Sequence, residues 1–467
     1  SLPLKPFRIK EVEEEIKKIN TKKSPGYDLI AGTVIKQLPT KAIQALTHLY
    51  NSILRIRHFP SQWKTAQIIM VLKPGKSPTE LTSYRPISLL PILSKVLEKL
   101  ILNRLMPILD EQELIPKHQF GFRKQHGTVE QVHRITDKIY RDLEGKRYCS
   151  AVFLDVKQAF DRVWHQGLCY KLKLFLPYQM FELLKSYITN RHFLIKYKDE
   201  NTNLHPISSG VPQGSALGPI LYLIYTADLP TSRLTTSATY ADDMAILASH
   251  VNPQAASRYL QAHLNKIQWW AKKWRIRVNE TKSQHVTYTM RKENCPPVNF
   301  NGHQLPHSET VKYLGLHIDR KLTWRTHIFT KRKQLGLQLQ KLYWLIGRKS
   351  KLSLENKILI YKIVLKPIWT YGISLWGTAA TSTLAMLDRF QNKVLRMIVD
   401  APWYVPNKVI LSDLQIPTVK SEIKNFSVRY KDRLSVHPND SVHQLMDNND
   451  EPRRLKRFKP SDLPTRF

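Results

Sequence analysis

Apolar residues recur at helical spacing from the start of the chain: Ile9, Val12, Ile16 and Ile19 share one face, with Glu and Lys between them. This predicts a short amphipathic helix ending at Asn20, followed by a basic turn over residues 22–28. A second helical stripe runs through Leu46, Leu49, Ile53 and Leu54 and stops near Pro60. The period then shortens. Residues 66–72 read as a strand that enters the basic loop Lys73-Pro-Gly-Lys76; residues 84–93 read as a second strand and 94–109 as a helix. From about Tyr148 short, intensely apolar segments take over, and residues 151–156, 180–188 and 193–197 are expected as strands of an α/β layer covered on one face. Past residues 313–318 the strands stop. Leu387, Phe390, Val394, Leu395 and Ile398 then form a helical stripe opposite Arg389, Lys393 and Arg396. The stretch after His437 is polar and Pro-punctuated, and its basic end is expected to be loosely ordered. No internal repeat is visible.

Charge changes this picture more than composition does. A 467-residue chain with 42% apolar residues and 10% aromatics has ample material for a folded core. Its 73 Lys plus Arg face 37 Asp plus Glu, a formal net charge of +36. The cations run along nearly the whole length, so self-repulsion is best answered by a polyanion, and nucleic acid is the commonest. Cys149, Cys169 and Cys295 lie far apart with no Cys-x-x-Cys spacing, which argues against a zinc knuckle or a disulfide framework and for a reducing compartment. The histidines show no ligand spacing. No apolar run approaches the roughly 20 residues of a membrane span, and no signal-peptide pattern opens the chain. It begins at Ser1, without Met, directly before a helical pattern, and so reads as a piece of a longer polypeptide.

The sharpest chemical signal is Tyr240-Ala-Asp-Asp243, two adjacent carboxylates on an expected strand–turn–strand with apolar residues on both sides. An Asp-Asp pair is most often a solvated turn. Crowding two acids among apolar neighbours is costly, however, and a bound cation is the usual relief. Asp155 ends the apolar strand Val152-Phe-Leu-Asp155 and could supply a third acid; a strand-end Asp also serves as a helix cap. Three acids from two strand regions are the oxygen ligands hard Mg²⁺ takes. Two such ions can activate an attacking hydroxyl and neutralise a leaving pyrophosphate.

Five motifs stand in order: Tyr84-Arg-Pro-Ile-Ser-Leu89, Gln119-Phe-Gly-Phe122, Phe153-Leu-Asp-Val-Lys-Gln-Ala-Phe-Asp-Arg162, Gly210-Val-Pro-Gln-Gly214 and Tyr240-Ala-Asp-Asp243. Together they resemble a reverse transcriptase, specifically the polymerase of non-LTR (LINE) retrotransposons. Lys366-Pro-Ile-Trp-Thr-Tyr-Gly-Ile373, Leu375-Trp-Gly377 and Ala401-Pro-Trp-Tyr404 are similar to the jockey group. The resemblance implies an α+β right-hand polymerase with fingers, a palm bearing a ferredoxin-like antiparallel sheet, and a helical thumb. The implied segments are fingers with an N-terminal helical extension over residues 1–147, palm over 148–322, thumb over 323–430 and a basic tail over 431–467.

Residue by residue, the resemblance makes Asp155, Asp242 and Asp243 the catalytic and metal-binding acids, with the main-chain carbonyl of Val156 a further metal contact. The cofactor would be two Mg²⁺ ions, with Mn²⁺ able to substitute. Phe160 matches the steric gate that excludes a ribose 2′-hydroxyl; its bland alternative is a core Phe at a helix start. Gln213 and Gly214 fall in the turn beside the incoming nucleotide, where Gly allows close backbone approach. Lys73 and Arg85 match cations that grip the triphosphate, with Lys76 a substitute for Lys73 in the same loop. Lys282 matches a lysine that could protonate pyrophosphate. Tyr313, Leu314 and Gly315 match the primer grip. Trp269, Trp270 and Trp274 could stack on bases, but beside Ile267 and Ile276 they read better as core.

The partners implied are an RNA template, a DNA primer or RNA–DNA heteroduplex, and dNTPs, with no membrane and no indication of oligomeric state. Action would be nuclear, with a cytoplasmic ribonucleoprotein phase besides. Nothing in the chain resembles the endonuclease domain that accompanies such polymerases, nor an RNase H domain. An inert or domesticated relic that only binds nucleic acid would share the charge, but the intact acids and Phe160 argue against decay. A viral-type RNA polymerase would share the paired Asp, but Phe160 leaves no room for the 2′-hydroxyl of an rNTP.

Overall fold

The computed structural model describes residues 4–197, 200–446 and 453–466. In chain order its longer helices are α1 (Ile9–Lys17), α2 (Thr40–Ile56), α3 (Ile92–Glu111), α4 (Thr128–Glu144), α5 (His165–Phe175), α6 (Tyr178–Ile188), α7 (Gly218–Thr226), α8 (Pro253–Lys273), α9 (Arg325–Ile346), α10 (Thr381–Ile398) and α11 (Val419–Ser435). The strands that matter below are β1 (Thr65–Leu72), β2 (Tyr84–Leu89), β3 (Tyr148–Leu154), β4 (Arg191–Tyr197), β5 (Thr235–Tyr240), β6 (Asp243–His250), β7 (Gln284–Tyr288), β8 (Thr310–Tyr313) and β9 (Leu316–Asp319). The fold is α+β, as the resemblance implied. No helix among the described residues is long and apolar enough to cross a membrane.

The chain forms two compact units, neither contiguous in sequence. One unit comprises residues 1–122, 156–230 and 266–279. Its sheet has β1 at the centre, antiparallel to β2 with Gln67 opposite Leu89 and parallel to β4 with Thr65 opposite His192. Met180, Phe181, Leu183, Leu184, Tyr187 and Ile188 are all buried, but on a helix, not on the strand expected over 180–188. Their spacing is i, i+3, i+4, i+7, which a helix gathers onto one face and a strand would split between two. Trp270 and Trp274 are core, as expected, while Trp269 on the same helix points to solvent. A buried lysine lies among them: Lys171 Nζ bonds Asp228 Oδ1 at 2.5 Å and lies 3.7 Å from the centre of the Trp274 ring. Burial pulls its pKa down to about 8 despite that carboxylate.

The other unit comprises residues 123–155, 231–265 and 280–467. Its centre is a four-stranded antiparallel sheet in the order β5-β6-β3-β7. Every residue of β3 is buried. That corrects the expectation of a sheet covered on one face, since alternate residues point to opposite sides and both sides of this strand are shielded. Helices α9 to α11 follow the β8–β9 hairpin, as the loss of strand pattern after residue 318 predicted.

The basic end is not loose over its described part. Arg453 pairs with Asp462, whose carboxylate also accepts the Lys459 N–H at 2.7 Å. Arg454 donates to the Glu144 carbonyl at 3.0 Å, placing a cation at the C-terminal end of α4, where unpaired carbonyls and the helix dipole favour it. Leu463 is fully buried, and Arg466 donates to the Gly377 carbonyl at 2.8 Å. Composition had suggested a tail too polar to order, but these arginines bond helix ends and carboxylates instead of solvent. Residues 447–452 and Phe467 lie outside the described residues. Leu463→Ala should therefore cost about 2–5 kcal/mol, the usual range for emptying a filled core position. Urea denaturation measures it, and an unchanged midpoint would mean the segment is not docked.

Candidate active site

Register builds the acid cluster. β3 pairs with β6 through Leu154 opposite Met244, so the next residue in each direction, Asp155, faces Asp243. β5 and β6 are joined by a tight hairpin in which Tyr240 pairs with Asp243, leaving Ala241 and Asp242 as the turn. Ala241 takes positive φ (55°), the conformation such a two-residue hairpin asks of its first turn residue. The expected strand–turn–strand is therefore what the chain forms, with all three acids on one unit.

The three carboxylates feel one another. Asp243 is exposed to water on one side yet surrounded by protein on the others. That partial burial, followed by the charges of Asp242 and Asp155, pushes its carboxyl up to about 6. The donors are hard oxygens, and the mutual repulsion is what a divalent cation would relieve. Among the described residues no group of three or more His, Cys, Asp or Glu side chains is drawn tightly enough to close round an ion. The donor set fits a divalent cation in kind and charge, though not in closure.

Neighbouring segments fix the cluster. The Asp155 N–H donates to Ser283 Oγ at 3.1 Å, which sets exposed Lys282 on the loop entering β7, next to the Asp155 backbone. Gln131 of α4 donates its side-chain N–H to the Thr239 carbonyl at 2.8 Å, holding the hairpin from the helix side. Tyr313, buried, donates to the Ala238 carbonyl at 3.4 Å and packs on Phe153 at 5.3 Å between ring centres. The β8–β9 turn after it carries Leu314 and Gly315 at φ 45° and 84°. Tyr371 donates its hydroxyl to the Leu314 carbonyl at 2.7 Å, and its ring would lie only 3.0 Å from a Cβ on Gly315. Tyr313, Leu314 and Gly315 are thus brought against the sheet that carries the acids, in the same unit.

The first unit gathers most of the expected nucleotide-side residues. Phe160 stacks on Tyr222 (4.9 Å, 24° between planes) and meets Phe122 edge-on at 5.7 Å, so its ring is held from two sides. Gln213 donates its side-chain N–H to Asp161 at 2.8 Å, and its carbonyl accepts the Ser88 N–H at 2.7 Å. Burial raises the Asp161 pKa, against the Gln213 bond and the nearby charges of Arg162 and Lys73. Gly214 has φ 124°, and a Cβ there would lie 2.6 Å from the Ser88 carbonyl oxygen, so only Gly lets this turn dock on β2. Arg85, exposed, stands on that same strand. Lys73 donates its ammonium to the Thr82 carbonyl at 2.7 Å, closing its own loop, while Lys76 is exposed. Val156 bridges to Val278 in this unit.

Sequence reading missed Tyr222, Asp161 and above all Glu98. Glu98 is fully buried on α3 and accepts the Ala216 N–H at 2.7 Å and the Leu217 N–H at 3.3 Å, just past the Gln213–Gly214 turn. Burial raises its pKa, while the buried Arg191 guanidinium and these N–H groups oppose the rise. An acid amid Val96, Leu97, Leu100 and Ile101 was the available signal; the N–H groups it holds lie more than a hundred residues on.

The sheet and its acid cluster define a polymerase-type palm. Residues 71–318, more than half of the chain, match the reverse transcriptase (RNA-dependent DNA polymerase) family, and the chain belongs to that family. The chain is 43% identical to the RNA-directed DNA polymerase from mobile element jockey of Drosophila melanogaster over 99% of its length and 52% of that protein. It is 42% identical to the probable RNA-directed DNA polymerase from transposon X-element of the same fly over all of its length and 52% of that protein. The chain thus spans about half the length of these curated relatives. Among solved structures it is similar to telomerase from Candida tropicalis in complex with a fragment of telomeric RNA, with a TM-score of 0.40 and 14% identity over 87% of this chain and 68% of that one.

Glu98→Ala should cost about 3–5 kcal/mol by stranding two buried N–H groups and the Arg191 charge; a loss under 1 kcal/mol in chemical denaturation would mean the carboxylate holds nothing. Asp243→Asn should act with the opposite sign. A carboxyl whose folded pKa is raised binds its proton more tightly folded than unfolded, so the wild-type fold loses stability as pH rises from about 4 through 6. Without divalent cations the Asn variant should be more stable at pH 7–8, by about 1 kcal/mol once solvent screening is allowed for. That advantage should vanish below pH 4, as read from paired urea titrations.

Proposed function

We propose that this chain is the RNA-directed DNA polymerase portion of a non-LTR retrotransposon protein, extending a DNA 3′-hydroxyl on an RNA template. The carrying observation is the cluster of Asp155, Asp242 and Asp243, fixed by strand register in a chain of this family. The family is generally dependent on divalent metal. In this reading the three acids and the Val156 carbonyl hold two Mg²⁺ ions, or Mn²⁺ in their place. When bound, these would neutralise triphosphate charge and favour ionisation of the primer hydroxyl.

The chain's own residues take the remaining tasks. Phe160, braced by Tyr222 and Phe122, presents a ring that cannot retreat from a ribose 2′-hydroxyl, which selects dNTPs. The Gln213–Asp161 bond orients the Gln side chain, and Gly214 lets the backbone of that turn come close to a nucleotide. Arg85 offers a forked donor to phosphate, and Lys73 a charge already anchored by its loop. Lys282 gives a proton to the leaving pyrophosphate in this reading. Tyr313, Leu314 and Gly315 hold the primer end. Fingers, palm and thumb would follow the segments 1–147, 148–322 and 323–430, with nuclear action on chromosomal DNA.

Primer extension on an RNA template with dNTPs and Mg²⁺ tests this. Asp242→Ala should lower the rate by at least 10²–10³-fold, the scale seen when electrostatic stabilisation of a transition state is lost. Phe160→Ala should relax dNTP-over-rNTP selection by up to about 10²-fold, what an apolar pocket achieves against one added hydroxyl. Extension that survives Asp242→Ala would sink the metal assignment. A wild-type chain that binds heteroduplex but never extends it would sink the polymerase reading.

A further inference from the structure

The loop between α10 and the short helix Asn407–Asp413 displays two aromatic rings to solvent: Trp403 is 90% exposed and Tyr404 69%. Large aromatic rings are normally buried, and a floppy loop would be the ordinary excuse for leaving them out. This loop is built. Arg396 spreads its guanidinium over it, donating to the Pro402 and Val405 carbonyls and to Asn407 Oδ1 at 2.5, 2.6 and 2.8 Å. The Val405 N–H closes back on the Pro402 carbonyl at 3.2 Å, and the Ala401 N–H on the Arg396 carbonyl at 3.0 Å. The rings are held outward by structure.

Their surroundings select the ligand. Arg348, just past the end of α9, pairs with Asp400 at 3.0 Å and ties that end of the helix to the start of the loop. One turn back on α9, Trp344 is 74% exposed. Cations dominate both segments: Lys341, Arg348, Lys349 and Lys351 on one, Arg389, Lys393, Arg396 and Lys408 on the other, with Asp400 the sole acid in residues 341–351 and 389–408. A cleft between α9 and α10 adjoins them; its lining is mostly apolar, with Leu337, Tyr343, Phe390 and Met397, and carries the cations Arg332, Lys333 and Lys393. Exposed rings amid cations are the means by which proteins hold single-stranded nucleic acid, the bases stacking while phosphates meet Lys and Arg. A duplex hides its base faces and would leave the rings idle.

We infer that the Trp403–Tyr404 loop is a binding site for single-stranded nucleic acid, distinct from the acid cluster. Bases stack on the two rings and the strand's phosphates run along the cations of α9 and α10. None of this rests on polymerase activity.

The test uses the full chain and a short oligouridylate carrying 4-thiouridine, with the matching DNA oligomer, an abasic oligomer of the same length and an RNA–DNA hybrid as further arms. Ultraviolet cross-links should map to the peptide holding Trp403 and Tyr404. The double variant Trp403→Ala, Tyr404→Ala should bind the single strand about tenfold more weakly, and the abasic oligomer should bind the wild type as weakly as the intact one binds the variant. RNA and DNA arms of equal strength support a strand-generic site; a stronger RNA arm supports a template-derived strand. Because the rings are exposed, the variant should melt with the wild type. A lowered melting temperature would make the rings structural and overturn the inference, as would unchanged affinity, cross-links confined elsewhere, or ring dependence seen with the hybrid alone. A chain that cannot extend primers but shows these cross-links would fail the polymerase reading and keep this one.

Discussion

Like-charge repulsion among Asp155, Asp242 and Asp243 is tolerable because strand register leaves the carboxylates no retreat. A one-residue slip of β3 against β6 would move Asp155 off Asp243 and relieve the repulsion, but it would also turn every buried side chain of β3 to the opposite face. Seven consecutive buried residues oppose that slip. The turn is pinned as well, by Gln131 on Thr239 and Tyr313 on Ala238. The core therefore holds the hairpin acids in place, and the raised Asp243 pKa reflects first its partial burial and then the charges of Asp242 and Asp155.

The residues expected beside a nucleotide depend on a different device, backbone docking in place of register. The Gln213–Gly214 turn touches β2 so closely that Ser88 leaves no space for a Cβ, and the segment after it is held by a buried carboxylate. Glu98 acts there as a buried acceptor for two N–H groups at the start of α7, a position where helix N–H groups lack internal partners. A single buried acid thus replaces several weaker contacts, and its removal cannot be compensated by solvent.

Legibility in the sequence followed how local each determinant is. The acid hairpin, the β1 strand, the first helices and the α10 stripe could be read because their periodicity lies within a few residues; β2 was read too long, to 93, where it stops at Leu89 and α3 begins at Ile92. The segment 180–188 was misread although its i, i+3, i+4 spacing was present, because a short apolar run resembles a buried strand until its period is counted. Glu98 was invisible in role, if not in oddity, since its partners arrive from a distant segment. The ordered tail was hidden for a similar reason: Arg453, Arg454 and Arg466 look like solvated charge until their acceptors at Asp462, Glu144 and Gly377 are known.

Those acceptors bear on how a chain of +36 folds. Many of its acids serve as anchors for single cations, as Glu130 does for Arg433, Glu422 for Lys366 and Glu11 for Arg104. In a chain so short of carboxylates, pairing each with a cation lowers self-repulsion. Asp155, Asp242 and Asp243 go the other way, three scarce acids gathered where they repel one another. A purely structural chain would gain stability by dispersing them or replacing them with amides. Their concentration at one hairpin, against the charge balance of the whole molecule, makes sense when a cation and a polyanionic substrate complete the electrostatics.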